Sequence, residues 1–209
     1  ALGTANATWL QMNESSLAFL MRLASAQGIG LRMHAGMVRA KAEEEDSDPI
    51  DLDPDTGTAK TVRIIADLNH QPSSITVRGH DLATGEPISH TVAALTPAPS
   101  GPTATAALEA AGWQTESILP HPFARSQSEA EAIAEGQFAR AASRFLHGEI
   151  VCAGEPRLAA GREIVLDGVS DRLRGRYRVS DCVQSFNALG FETRIKVQKA
   201  DSSTGAGTS

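Results

Sequence analysis

The sequence predicts an α+β chain in which antiparallel strands outnumber helices. Two amphipathic stripes mark helices. Leu17, Leu20, Met21 and Ala24 recur at i, i+3, i+4 and i+7, and farther on Ala130, Ile133, Ala134 and Phe138 fall at i, i+3, i+4 and i+8, on one helix face. Most of the rest breaks into short period-two runs between Gly- and Pro-containing turns. The cleanest run closes the chain: Phe191, Thr193, Ile195 and Val197 alternate with Glu192, Arg194, Lys196 and Gln198, one face for a core and one for water.

Composition narrows the class. The 209 residues (22.0 kDa) are 41% hydrophobic and 21% charged, enough to bury a core without disulfide staples. Aromatics make up only 4%, so Leu, Ile, Val and Ala must fill that core. No apolar run approaches the roughly 20 residues of a spanning helix, so no membrane-spanning segment is expected. The chain opens on Ala1 with no basic stretch ahead of an apolar one, which argues against a secretory leader and for a processed chain or a piece of a longer one. Cys152 and Cys182 are too few for a disulfide framework and suit a reducing compartment. Net charge is −6, but eight acids crowd residues 43–55, and the remainder stands at +2. A body so balanced lacks the basic face that nucleic-acid contact needs. The acidic run, with Pro49 and Pro54 inside it, reads as a solvated loop.

The elements follow in order. A helix is expected over 14–27, with Asn13 as N-cap, Phe19 and Leu23 widening its buried stripe and Gly28 ending it. A hairpin turns at Ala35 and Gly36. Strands are expected over 61–67, 74–79 and 88–94, then the proline-rich linker "TPAPSGPT" and a short helix over 105–111. The longest helix should span 127–146, opened by the capping-box pair Ser126 and Glu129 and stopped by Gly148, with Ala141, Ala142 and Phe145 completing its buried face. Strands over 149–153, 162–166, 176–186 and 191–198 complete the chain. The domain reading is a helix-plus-hairpin unit with its acidic loop over 1–60, strands interrupted by the linker and the long helix (126–147) over 61–200, and a disordered tail over 201–209.

Chemistry-bearing patterns are scarce. His34, His70, His80, His90, His121 and His147 form no H-x-x-x-H or H-E-x-x-H array, and His147 with Cys152 and Cys182 lacks a fourth ligand. Asp51, Asp53 and Asp55 imitate the start of a calcium loop, but Thr56 stands where Gly is needed and Val62 where a bidentate Glu belongs. Ser73 or Ser74 with His80 and Asp81 would make a nucleophile set only without the G-x-S-x-G elbow, and His80 and Asp81 point to opposite faces of a strand. There is no phosphate-cradling glycine loop. The expectation is no catalytic, cofactor-binding or metal site, and no enzyme. The basic series Arg172, Arg174, Arg176 and Arg178 is either a solvated strand face or an electrostatic contact with an acidic neighbouring subunit.

The order of segments carries a resemblance. "WLQMNESSLAFLMRLASAQGIGLRMHAGMVRAK", "VRIIADLNHQPSSITVRGHDLATGEPI", "HPFARSQSEAEAIAEGQFARAASRFLHGEIVCAGEPRLAAGREIVLDGV" and "GRYRVSDCVQSFNALGFETRIKVQKA" resemble, block by block, the phage late control protein D family over residues 8–200. Relatives in that group are the baseplate hubs of contractile tails and the VgrG-like spikes of contractile injection systems. The resemblance implies a tail-tube-like antiparallel β-barrel with an α/β insertion. It further implies a homotrimer with a tail tube protein and a spike or tip protein as partners. Such a protein is cytoplasmic during assembly and then part of a virion or injection particle. The family's additional N-terminal barrel segment has no counterpart before "NESSLAFL", which leaves a fragment, a split subunit or a degenerate prophage product as alternatives. The family supplies no catalytic residues. Candidate subunit-interface positions, chosen by strand-face charge, are Arg174, Arg176, Arg178, Arg194 and Lys196. Two other readings are a cell-wall hydrolase of the same particle and a stand-alone ligand-binding β-domain.

Overall fold

The structure is a computed structural model and describes residues 9–26, 29–34, 36–41, 48–188 and 190–203. It is α+β and mostly strand. Helix α1 (Ser16–Ala26) leads into the hairpin β1 (Gly30–His34) and β2 (Met37–Lys41), with Gly36 at φ +77° just before β2. Strands β3 (Ile50–Leu52), β4 (Ala59–Ala66), β5 (Ser74–His80) and β6 (Pro87–Val92) precede the short helix α2 (Ala104–Ala110). Then come β7 (Glu116–Ala124), helix α3 (Gln127–Ala142), β8 (Leu146–Ala153), β9 (Glu163–Leu166), β10 (Gly175–Asn187) and β11 (Gly190–Lys199).

Two sheets organise the body beside the hairpin. Six strands lie in the order β3-β9-β10-β11-β8-β4, and three in the order β6-β5-β7 with α3 packed across them. Each sheet has its own core. Leu146, Ile150, Ile164, Leu166, Tyr177, Val179, Ile195 and Val197 fill the larger one. Ile75, Val77 and Ile88 meet Ala130, Ile133, Ala134 and Phe138 of α3 in the smaller. The α3 stripe is thus buried as its 3.6 period implies, and the alternation of β11 places Thr193, Ile195 and Val197 inward.

The large sheet curls into a half-barrel. Its end strands β3 and β4 are consecutive in the chain, joined by a turn over 53–58, yet no ladder runs between them. Among the described residues the strands show a half-barrel, and the closed barrel that the late-control-like reading implies is not shown. The turn is built by Asp53: its amide donates to Thr58 Oγ1 at 2.7 Å, its carboxylate accepts the Asp55 amide at 2.7 Å, and its carbonyl accepts the Ala59 amide. The calcium-like spacing is a turn motif.

Several expected boundaries move. The acidic stretch is not wholly a solvated loop: Ile50 and Leu52 are buried, and β3 pairs parallel with β9. Alternation over three residues is too short to read beside so many acids. Glu43 to Asp46 lie outside the described residues, as do Gly28, Ala35 and 204–209. The 60/61 boundary falls inside β4, and the large sheet draws on both sides of it. Helix α1 starts later than expected. Ser15 caps it, its Oγ accepting the Ala18 amide, while Asn13 sits at φ +51° in the left-handed region that asparagine tolerates. Helix α3 ends at Ala142, not 146–147, because Phe145 and Leu146 turn into the large core and Leu146 opens β8. Strand β7 was not expected, since Pro120 and Pro122 lie within it. It is an edge strand, and its register with β5 jumps from Val77–Leu119 to Gly79–Ala124, so the prolines fall where no ladder bond is required. Asp201 to Ser203, expected in a free tail, are bound: Asp201 bridges to Thr103, and the Ser202 amide donates to the Pro102 carbonyl.

Candidate functional site

The residues expected to carry function mostly lie on the outer face of the large sheet. Cross-strand pairing puts Arg194 beside Val151 of β8 and Val183 of β10, and Lys196 beside Glu149 and Asp181. Arg63 of β4 extends the row past Glu149. The inner residues of the same strands, Ile150, Ile195 and Val197 among them, are buried, so the pleat puts these charges outward. The face is a mixed-sign lattice in which Arg194 meets Glu149 at 3.5 Å, and Lys60 meets Glu192 at 3.7 Å.

The arginine series divides. Strand β10 begins at Gly175, so Arg172 and Arg174 precede it. Arg174 contacts Asp167 at 3.5 Å and Asp171 at 3.3 Å. Arg176 and Arg178 converge on Glu163 of β9, at 3.1 and 2.8 Å. Glu163 is only 6% exposed although it belongs to the outer face, because the two guanidinium groups cover it. Register alone creates this triad. Nothing within the "REIVL" run marks Glu163 as the acid that will be buried, and the sequence reading missed it.

A second exposed feature is apolar. Strand β9 pairs only residues 175–178 of β10, and beyond Val179 a bulge shifts the ladder with β11. The far end of the β10–β11 hairpin carries Val183 and Phe186, the latter 86% exposed. Phe186 leans on Phe191 with ring centroids 6.5 Å apart, and Phe191 occupies the space a side chain at Gly154 would need. Helix α1 adds another exposed apolar surface. Leu17, Leu20 and Met21 of its expected buried stripe face outward, while Ala24 is buried and Phe19 and Leu23 are half-buried. Met37 and Val38 of β2 are exposed as well.

The candidate chemical groups do not converge. His147 and Cys152 stand on opposite faces of β8: His147 Nδ1 lies 3.0 Å from the Arg144 carbonyl, and Cys152 Sγ donates to the Thr193 carbonyl in the core. Cys182 Sγ donates to the Leu158 carbonyl. Burial pushes the Cys152 thiol up to about 11, and raises that of Cys182 as well. Both are poor nucleophiles. Ser73 accepts the Thr115 amide, His80 ends β5, and Asp81 accepts the amides of Ala83 and Thr84, which holds its carboxyl below the usual range. Among the described residues, no three His, Cys, Asp or Glu side chains stand close enough to hold a metal ion. No helix among them is long and apolar enough to cross a membrane.

The fold is held in common with solved structures of two tail proteins. A tail protein from Neisseria meningitidis MC58 superposes with a TM-score of 0.67 at 10% identity, over 92% of this chain and 57% of that one. The 43 kDa tail protein of prophage MuSo2 from Shewanella oneidensis gives 0.68 at 14% identity, with the same 92% and 57%. The fold is thus shared with these two proteins, and this chain spans about 57% of their length. No curated protein matches the sequence. The family model for the Alg8 N-terminal domain matches residues 3–187, and the chain belongs to that family. This overturns the resemblance to the late control protein D family. Helix-plus-hairpin, strand pair, long helix and closing hairpin in that order are properties of the shared fold, and alone they do not single out a sequence family.

Proposed function

We propose that this chain is a structural component of a phage tail or a related injection particle, located where a tail tube meets its tip and acting there as part of a trimeric hub. The observation that supports the reading is the fold held in common with two tail proteins over 92% of the chain. Its work is architectural and not enzymatic. The outer face of the large sheet meets neighbouring subunits through Arg194 and Lys196, whose charges are exposed and whose strand is held rigidly between β10 and β8. Arg176 and Arg178 serve the fold first, through Glu163.

The test is sedimentation of particles from cells that make the protein, followed by mass spectrometry. Recovery with tube and tip proteins is expected; its consistent absence from every particle fraction would defeat the proposal. Clearing of cell-wall suspensions by the purified chain would overturn the non-enzymatic part. The family's description as an N-terminal domain favours a second reading, a docking module within a larger polypeptide. Recovery only in soluble complexes, never with particles, would select it.

A further inference from the structure

The structure assigns a second binding site: we propose that the groove between the C-terminal half of α3 and the leading ends of β5 and β7 receives an acidic peptide segment of a partner protein. The groove has a volume of about 430 Å³. One wall is α3 and its exit, which present Arg140 and Arg144; the other is the start of β7, which presents Thr115 and Ser117. Ile75 and Leu119 supply an apolar floor.

Three observations make this a built recess. Gln71, 4% exposed, donates from Nε2 to the Ala141 carbonyl at 3.0 Å and ties the segment before β5 to the end of α3. The starts of β5 and β7 are locked together by Ser73 N donating to the Thr115 carbonyl and Thr115 N donating to Ser73 Oγ. Among the described residues no carboxylate lines the groove: Glu116 points to the opposite face of the sheet, where it accepts from the Thr76 hydroxyl. The Arg144 guanidinium makes no hydrogen bond or ion pair among the described residues. Arg140 and Arg144 thus bring two guanidinium groups to one recess on a chain of net charge −6.

Arginine near a helix C-terminus also complements the macrodipole. That accounts for the sign of the charge, but not for hydroxyls and an apolar floor facing it across a groove. Guanidinium forks recognise carboxylates, and hydroxyls recognise backbone amides and carbonyls. That the ligand is a protein segment rests on the assembly role proposed above.

Fluorescence anisotropy with labelled hexaglutamate and hexaglutamine, titrated with the full chain at low salt, tests the site. Saturable binding of hexaglutamate alone is expected, weakening as salt screens it. The double variant Arg140→Glu, Arg144→Glu should bind at least about tenfold more weakly, and Arg157→Glu, at an exposed position outside the groove, should bind like the parent. Should the double variant lose its fold by circular dichroism, the single Arg144→Gln, at an exposed position, should still weaken binding severalfold. No saturable binding of hexaglutamate, or equal binding by the arginine variants, would overturn the proposal. Inorganic phosphate binding more tightly than the peptide at the same site would overturn its assignment to peptide. Particle sedimentation is independent of these arms, so failure of the assembly role and failure of the groove are read separately.

Discussion

Glu163 shows how much depends on a single residue. Its carboxylate is buried beneath Arg176 and Arg178. Glu163→Gln leaves two guanidinium groups competing for one neutral acceptor and should cost about 2 kcal/mol in urea unfolding. By contrast, Glu149→Gln breaks only an exposed pair with Arg194 and should change stability by no more than about 0.5 kcal/mol. Tyr177 makes a pH prediction. It is the one tyrosine of the chain; its hydroxyl donates to the Leu173 carbonyl at 2.7 Å, and burial raises its pKa. A phenol that stays protonated in the fold but ionises near its ordinary value of about 10 when unfolded makes stability fall as pH rises above about 10. Cys152, raised to about 11, acts in the same direction from the ordinary thiol range upward, while Lys199, lowered by burial, opposes them. Absorbance at 295 nm should therefore show no tyrosinate at pH 10.5 until the fold is lost. Tyrosinate appearing while circular dichroism remains native would contradict this.

At the scale of elements, local signals and packing divide the credit. The α3 N-terminus was legible from residue types alone: Ser126 Oγ accepts the Glu129 amide at 3.2 Å. The return bond differs slightly from the expected box, since Glu129 accepts from the Arg125 amide instead. Ser126→Ala should cost about 1 kcal/mol, read from the thermal midpoint. Gly148 is a different case. A Cβ there would fall on the backbone carbonyl of Arg63, because β4 approaches β8 closely at that point. Gly148→Val should open the β4–β8 ladder and cost more than about 2 kcal/mol, with faster amide exchange in β4 than in β11. Gly148 was expected as a helix stop, a role that Ser143 fills by accepting the C-cap position. The α1 stripe was legible as apolar, yet periodicity states only that one face differs from the other. It does not say which partner covers that face.

The whole molecule has an open half-barrel and an α3-backed sheet whose strands come from separated parts of the chain. If it forms a hub, light scattering on a size-exclusion column should give the mass of three chains, and Arg194→Glu with Lys196→Glu should shift it toward one. A monomer at all concentrations would count against self-assembly through this face. Reversing Arg176 and Arg178 would be a poor test, because it strips Glu163 of its partners. By itself the sequence determined the α+β class, the α3 helix with its cap, and the alternation of β11, because each depends on side chains a few residues apart. Only the tertiary structure decided that β3 belongs to a sheet, that β7 tolerates its prolines at an edge, that Glu163 lies beneath two arginines, and that Arg140 and Arg144 face hydroxyls across a groove. Those features join residues separated by many positions, and what brings them together is strand register and sheet curl, quantities that no local pattern encodes.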